Sequence, residues 1–379
     1  MGSRVSVASD DVLRALRMRA QLLAGDRAGD VLSVVSRVCG VQAQAAPPAR
    51  LAVRVRSSGL LASTVDAAVR GEAVRGQVVR TWAMRGTLHM LARGDVAWLV
   101  GLLGPVFDRA GRRRRDQLGL DDRTCERALP AIERVLADSP PLTRAVLVER
   151  LADEGVRLDP RSQAPAHLLH HAANHGLVCR GPDLARDEPT YVLTGRWLGA
   201  DAANPFPDRG DALAELARRY LAGHGLAAVA DLARWSGLPL PDARRAFASI
   251  ADETTELATD RGPMLVLRDT PLDAPDLPAP RLLGHFDPLL LGYRDRDLVL
   301  DPAFAGRVQA GGGFIRPSVL IGGRVVGTWT LRRSRTATVT VEPFAGVPRG
   351  VEDGLRSEVD DLARFLGEDA ELRIEAPVS

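Results

Sequence analysis

The sequence predicts an α+β protein made of three tandem winged-helix units and a C-terminal β-rich domain. Three observations predict it. The order helix, helix, helix, hairpin occurs three times between residues 11 and 268, a proline-rich stretch follows at 270–280, and short strand patterns replace helical ones beyond it. The three segments share little residue identity, so the repeat is one of architecture. The boundaries that follow are 1–125, 126–205 and 206–270 for the winged helices and 271–379 for the linker with the β-rich domain.

In the first unit, helical patterns at 11–23, 31–39 and 63–70 precede two apolar runs containing Val and Thr, 77–82 and 87–91, which flank residues 83–86. Between the second and third helices, Pro47 and Pro48 are expected to stop the chain from continuing helically. The second unit repeats the order with helices at 128–137, 142–151 and 165–175, Thr143 as a cap candidate, and strands at 177–180 and 190–194. The third has helices at 211–221, 227–235 and 241–250 and strands at 254–259 and 264–268 around Arg261-Gly262-Pro263. Pro271, Pro275, Pro278 and Pro280 mark the linker. Strands are expected at 297–300, 314–321, 324–331 and 337–342, with Gly322-Gly323 as a hairpin turn, then a helix at 351–366 and a strand at 370–374.

Composition sets outer limits on function. The 379 residues are 45% hydrophobic and 26% charged, which is ordinary for a soluble globular chain. No apolar run reaches membrane-spanning length and residues 1–11 lack the apolar region of a secretory signal, so the expected location is the cytoplasm. The three cysteines, Cys39, Cys125 and Cys179, form no Cys-x-x-Cys pair; each is expected as a small core residue, and no metal or other cofactor is expected. All 50 basic residues are arginine, so no side-chain amine is present to form a Schiff base.

The net charge of +2 is uninformative, but its distribution is not. Residues 31–94 hold nine arginines and two acids, residues 303–341 six arginines and no acid, and residues 351–379 nine acids and three arginines. Two separated basic stretches could line one groove for a polyanion, or form a solvated arginine-rich surface. Arg112 to Arg115 is open to the same two readings. His167, His170, His171 and His175 share one predicted helix, yet no carboxylate or cysteine lies at a complementary spacing, which favours a packing or phosphate-contacting helix over a metal site.

No Walker loop, dinucleotide fingerprint or G-x-S-x-G is present. What remains is Gln42-Ala43-Gln44 after the second helix, followed in order by three blocks: residues 79–90 (VRTWAMRGTLHM), 287–296 (DPLLLGYRDR) and 323–329 (GRVVGTW). Together they resemble the YcaQ/AlkZ-like winged-helix DNA glycosylases over nearly the whole chain. That family carries an active-site motif of Gln, an aliphatic residue, then Gln or Asp; Gln42-Ala43-Gln44 matches the AlkZ-like Gln-x-Gln branch and departs from the Gln-x-Asp of the YcaQ-like branch.

The resemblance implies a C-shaped molecule closing around double-stranded DNA that carries alkylated purines, acting as a monomer at the nucleoid. It also implies excision of bulky N7-alkylpurines, unhooking of interstrand crosslinks, and a place in base excision repair or in self-resistance to a genotoxic natural product. The chemistry fits the residues. Alkylation at N7 puts a positive charge on the purine, so the base leaves neutral and needs no strong acid; water then has only to be positioned against a cationic sugar. Amide oxygens can do this, whereas the carboxylate of the other branch would add electrostatic stabilisation.

By this reading Gln42 and Gln44 are catalytic, and Arg85, His89, Arg294, Arg296, Arg332, Arg333 and Arg335 are DNA contacts, although Arg85 and His89 could instead brace their hairpin. Trp82 and Trp329 are assigned to cores and Asp287 to a turn cap before Pro288. The alternative is a winged-helix regulator without catalysis, which leaves the Gln-x-Gln segment without a purpose.

Overall fold

The computed structural model describes residues 9–70, 77–199, 203–273, 279–347 and 350–377. Helices and strands are mixed along the chain, the α+β class the sequence predicts. Contacts group the residues into two compact units, Met1–Asp66 with Ala214–Trp235 and Pro239–Ser379, and Ala67–Leu213 with Ser236–Leu238.

The first unit begins with helices Asp10–Ala20, Val31–Arg37 and Ala46–Arg54. Ser9 and Asp30 cap the first two, accepting from the backbone N–H of Val12 at 3.4 Å and of Ser33 at 2.8 Å. The third helix corrects the sequence reading. Pro47 and Pro48 open it instead of stopping the chain, because they lie in the first turn, where helical N–H groups have no acceptor and a fixed φ near the helical value is an advantage. The helix expected near residue 63, Ala62–Arg70, is therefore the fourth.

Five strands, Arg281–Leu283, Ser318–Ile321, Arg324–Arg332, Ala337–Pro343 and Ala370–Ile374, lie side by side in chain order. All pairs are antiparallel except the last, which is parallel because helix Glu352–Leu366 supplies the crossover. That helix buries Leu355, Val359 and Leu362 against Leu282, Val319 and Trp329. Residues 297–300, expected as a strand, form a turn in which Val299 and Leu300 donate to the Arg296 carbonyl at 2.9 and 2.8 Å. Their side chains are buried, and a short apolar run does not distinguish a buried turn from a strand. Strand Arg281–Leu283 has no counterpart in the sequence reading, being only three residues long and directly after a proline. The middle of the proline-rich stretch, 274–278, lies outside the described residues.

In the second unit the hairpin Val78–Trp82 and Leu88–Ala92 pairs in the register Trp82↔Leu88, and a second hairpin joins Val178–Arg180 to Thr190–Leu193. The two meet edge to edge at Arg80↔Arg180. Helix Val96–Gln117 also has no counterpart in the sequence reading; it runs through Gly101, Gly104 and Pro105, residue types that weaken isolated helices. At Gly104 the helix touches helix Ala164–Asn174 so closely that a Cβ would stand 2.0 Å from the Asn174 carbonyl oxygen. Helices Asp122–Ala137 and Arg144–Asp153 also belong to this unit, the second capped by Thr143 as expected. Among the described residues no helix is long and apolar enough to cross a membrane.

Candidate active site

The Gln-x-Gln segment is a short extended link between two helices. Helix Val31–Arg37 ends with Cys39 in the left-handed region at φ 51°, where the Cys39 N–H bonds to Ser36 O at 3.2 Å and the Gly40 N–H to Val35 O at 2.9 Å, a closed C-terminal turn. Val41–Gln42 is then extended, and Ala45 at φ −131° and ψ 147° leads into helix Ala46–Arg54. The chain bends at Gln44 and Ala45, so Gln42 and Gln44 come together while Ala43 is turned into the core. Ala43 is 1% exposed, Gln42 is 8% exposed and Gln44 is open to solvent. The Gln42 Nε2 donates to Gln44 Oε1 at 3.2 Å, so the two amides are coupled.

The far end of the following helix is anchored by ions. Arg56 Nη1 and Nη2 donate to Asp287 Oδ2 and Oδ1 at 2.8 and 2.7 Å, with both side chains fully buried. Arg56 also donates to Ala52 O at 3.0 Å and Gln21 Oε1 at 2.8 Å. Arg54 donates to Glu358 at 2.6 Å and to Asp361 at 3.0 Å. Asp287 accepts from the Leu289 N–H at 2.9 Å, the cap expected for it, but its bond to Arg56 has no local signal in the sequence. Neither do Glu358 and Asp361, which lie some 300 positions from Arg54.

The remaining candidates divide. Arg332, Arg333 and Arg335 are exposed around the turn between strands Arg324–Arg332 and Ala337–Pro343, Arg333 pairing with Glu368 at 3.0 Å. Arg294 is exposed beside Asp295, whereas Arg296 is part-buried and donates to Leu290 O at 2.5 Å and Gln309 Oε1 at 3.3 Å, a structural use. Arg85 sits at φ 57° in the tip of its hairpin. His89 is a correction: it is 2% exposed, its Nδ1 lies 2.9 Å from Thr87 O, and burial pushes its pKa down to about 3, so it offers phosphate neither access nor charge. It braces the hairpin. Trp329 is in the core as assigned, and Trp82 is part-buried and stacks on His170.

The histidine helix finds a carboxylate after all, from Asp108 on the neighbouring helix, 2.5 Å from His171 Nδ1 and 3.6 Å from His175 Nε2. Among the described residues this is a trio of metal-ligand type. Arg115, however, holds the same carboxylate at 3.0 Å and a cation would have to displace it, so the cluster acts as a brace between helices. All three cysteines are buried, and burial pushes the Cys179 thiol up to about 12.

Comparison with known proteins decides the family. The profile of the AlkZ-like DNA glycosylases matches residues 35–365. The chain is an AlkZ-like DNA glycosylase. It is 31% identical over 373 residues to an interstrand DNA cross-link repair glycosylase of Streptomyces sahachiroi, an alignment spanning 93% of this chain and 95% of that one. It also superposes on the solved structure of the DNA glycosylase AlkZ from Streptomyces sahachiroi with a TM-score of 0.83 at 29% identity, covering 98% of this chain and 100% of the other. A regulator without catalysis is thereby set aside.

In this AlkZ-like glycosylase the Gln42–Ala43–Gln44 segment presents dipoles and no titrating group. Two amides in hydrogen-bonding distance can share a water and still offer a carbonyl oxygen to a developing cation. Buried Ala43 and the closed turn at Cys39–Gly40 fix the segment from beneath.

Proposed function

We propose that the enzyme hydrolyses the N-glycosidic bond of purines alkylated at N7, including bulky adducts, and that it unhooks interstrand crosslinks in DNA repair or self-resistance, working as a monofunctional, monomeric glycosylase. The observation that carries this reading is the neutral pair Gln42–Gln44, with the Gln42 amide donating to Gln44. Water oxygen forms a bond to C1′ as the bond from C1′ to the purine nitrogen breaks. The bonding electron pair goes to the purine and cancels its positive charge, and the water proton is lost to solvent. Only a leaving group that carries its own charge departs without an acid, so a site of amides suits N7-alkylated bases. The cross-link repair function of the Streptomyces sahachiroi relative supports crosslinks as substrates. A crosslinked base cannot be turned out of the duplex while its partner is attached, so it must be attacked in place.

Arg332, Arg333 and Arg335, with Arg85 and Arg294, take phosphate contacts in this reading. The test is incubation with duplexes bearing N7-methylguanine, a bulky N7 adduct and a natural-product crosslink. Abasic-site formation is expected on all three, with borohydride trapping no covalent adduct because the chain has no lysine. Replacing Arg332 and Arg333 by Ala should flatten the salt dependence of binding by about one unit for each phosphate no longer neutralised. Absence of base release from every duplex overturns the substrate assignment.

A further inference from the structure

Immediately before the buried Asp287 the chain makes an uncomfortable turn. At Gly284 a Cβ would meet Leu51 Cβ at 3.0 Å and the Pro48 carbonyl oxygen at 3.4 Å, so this backbone lies against the first turn of the helix that begins two residues after Gln44. Phe286 then adopts φ 57°, a left-handed conformation that is costly for a bulky residue and persists only where its surroundings impose it. Phe286 packs partly against the core, and Asp287, next in the chain, is fixed by two bonds to Arg56 and caps Leu289 N. The strain does not hide the aromatic side chains: His285 and Phe286 remain half-buried.

A third ring joins them from elsewhere in the chain. Phe314 is 42% exposed and follows Gly311, Gly312 and Gly313, all with left-handed φ. Its ring centroid lies 4.9 Å from that of His285 and 5.3 Å from that of Phe286, nearly edge-on at 82°. The His285 Nδ1 lies 3.0 Å from the Ile315 carbonyl oxygen, to which it donates, and this bond ties the ring to the chain beside Phe314. Residues 303–341 contain six arginines and no acid, and exposed Arg316 stands two positions after Phe314.

We propose that His285, Phe286 and Phe314 are a stacking platform for a nucleobase of the damaged duplex, with Phe314 the ring that enters the base stack. The proposal rests on the substrate reading above and deepens it. Exposed rings on an acid-free, arginine-rich stretch fit a partner that is flat, apolar on its face and anionic at its edge, which describes a base with its phosphate. Apolar side chains inserted between base steps unstack them and kink the duplex. For a crosslinked base that cannot be flipped, loosening the adjacent step is the route left for water to reach C1′, and the glycine turn, closed by Phe314 N–H to Gly311 O at 2.9 Å and Ala310 N–H to Phe314 O at 3.1 Å, holds the ring out at the surface.

The experiment uses the full chain and a duplex with 2-aminopurine beside N7-methylguanine, followed by rapid mixing. Wild-type protein should change the 2-aminopurine fluorescence on binding, before base release. Phe314→Ala should lose most of that change and slow base release about 5- to 150-fold, the range of one stacked base, with an unchanged melting temperature; Phe314→Trp should restore both. Retention of the fluorescence change and the rate by a folded Phe314→Ala overturns the platform, as does base release by wild type without any fluorescence change. A fluorescence change that depends on Phe314 without release of any base supports the platform while the substrate reading fails.

Discussion

Helix Ala46–Arg54 has two unlike ends. At its start the chain presents Gln42, Gln44, Ala45, Pro47 and Pro48, with no ionised group and no side-chain cap. At and just past its other end Arg54 and Arg56 are buried against Glu358, Asp361 and Asp287. Charge is thus buried with its counter-ions at one end, only Asp361 being partly exposed, and the other end offers neutral dipoles. The difference teaches that holding and reacting are separable along one rigid element: paired ions fix the helix, and the proposed function gives the amides a substrate that brings its own charge. The two prolines add to this, because a helix start concentrates positive partial charge on its free N–H groups and they remove two such groups.

The harshest way to break the comparison is to unpair the ions. Arg56→Met leaves the Asp287 carboxylate buried with one partner gone, and should cost about 3–5 kcal/mol in urea unfolding. Arg56→Met with Asp287→Leu should recover most of that loss, because two apolar groups replace two desolvated ions. A loss below about 1 kcal/mol in the single variant would mean that this end does not hold the helix.

The other end should behave in the opposite way. Gln42→Ala and Gln44→Ala should each slow base release by about ten- to a thousandfold in single-turnover kinetics, with melting temperature and DNA affinity close to wild type. Gln44→Asp should keep or raise activity on N7-methylguanine, since a carboxylate favours a cationic transition state. If the segment is structural, stability and activity will fall together, and full activity in the stable double alanine variant ends the catalytic assignment.

How much of this is legible without coordinates depends on the range of the interaction. The hairpins 78–92, 178–193, 254–267 and 318–332, the caps at Thr143 and Asp287, and the core role of Trp329 are legible because turn residues, capping residues and apolar alternation act within a few positions. Helix Ala46–Arg54 is not, because Pro-Pro both starts and stops helices and only the acceptor of the preceding N–H groups decides which. The motif Gln42–Ala43–Gln44 is visible as letters, but its anchoring is invisible: nothing near Arg56 announces Asp287, 231 positions away. Likewise Phe314 reads as a strand residue until its exposure and its meeting with His285 are seen.

The smallest expected effect sharpens the same comparison in the second unit, by asking what a buried ionisable group does without a counter-ion. Arg56 is buried with Asp287 beside it, whereas His89 is buried against the Thr87 carbonyl with Arg85 opposing its charge, so it stays neutral with a pKa of about 3. The unfolded chain takes up a proton on His89 near pH 6.5 and the folded chain does not until about 3, so stability is complete above pH 6.5 and declines as pH falls toward 3. Between pH 7 and pH 5 this residue should account for about 2 kcal/mol of lost stability. Urea unfolding of wild type and His89→Gln at both pH values isolates it: the variant starts less stable at pH 7 but loses less on acidification. An equal loss in the two proteins would mean that His89 is charged, or reachable by water, in the folded state, and would return it to the residues able to meet a phosphate.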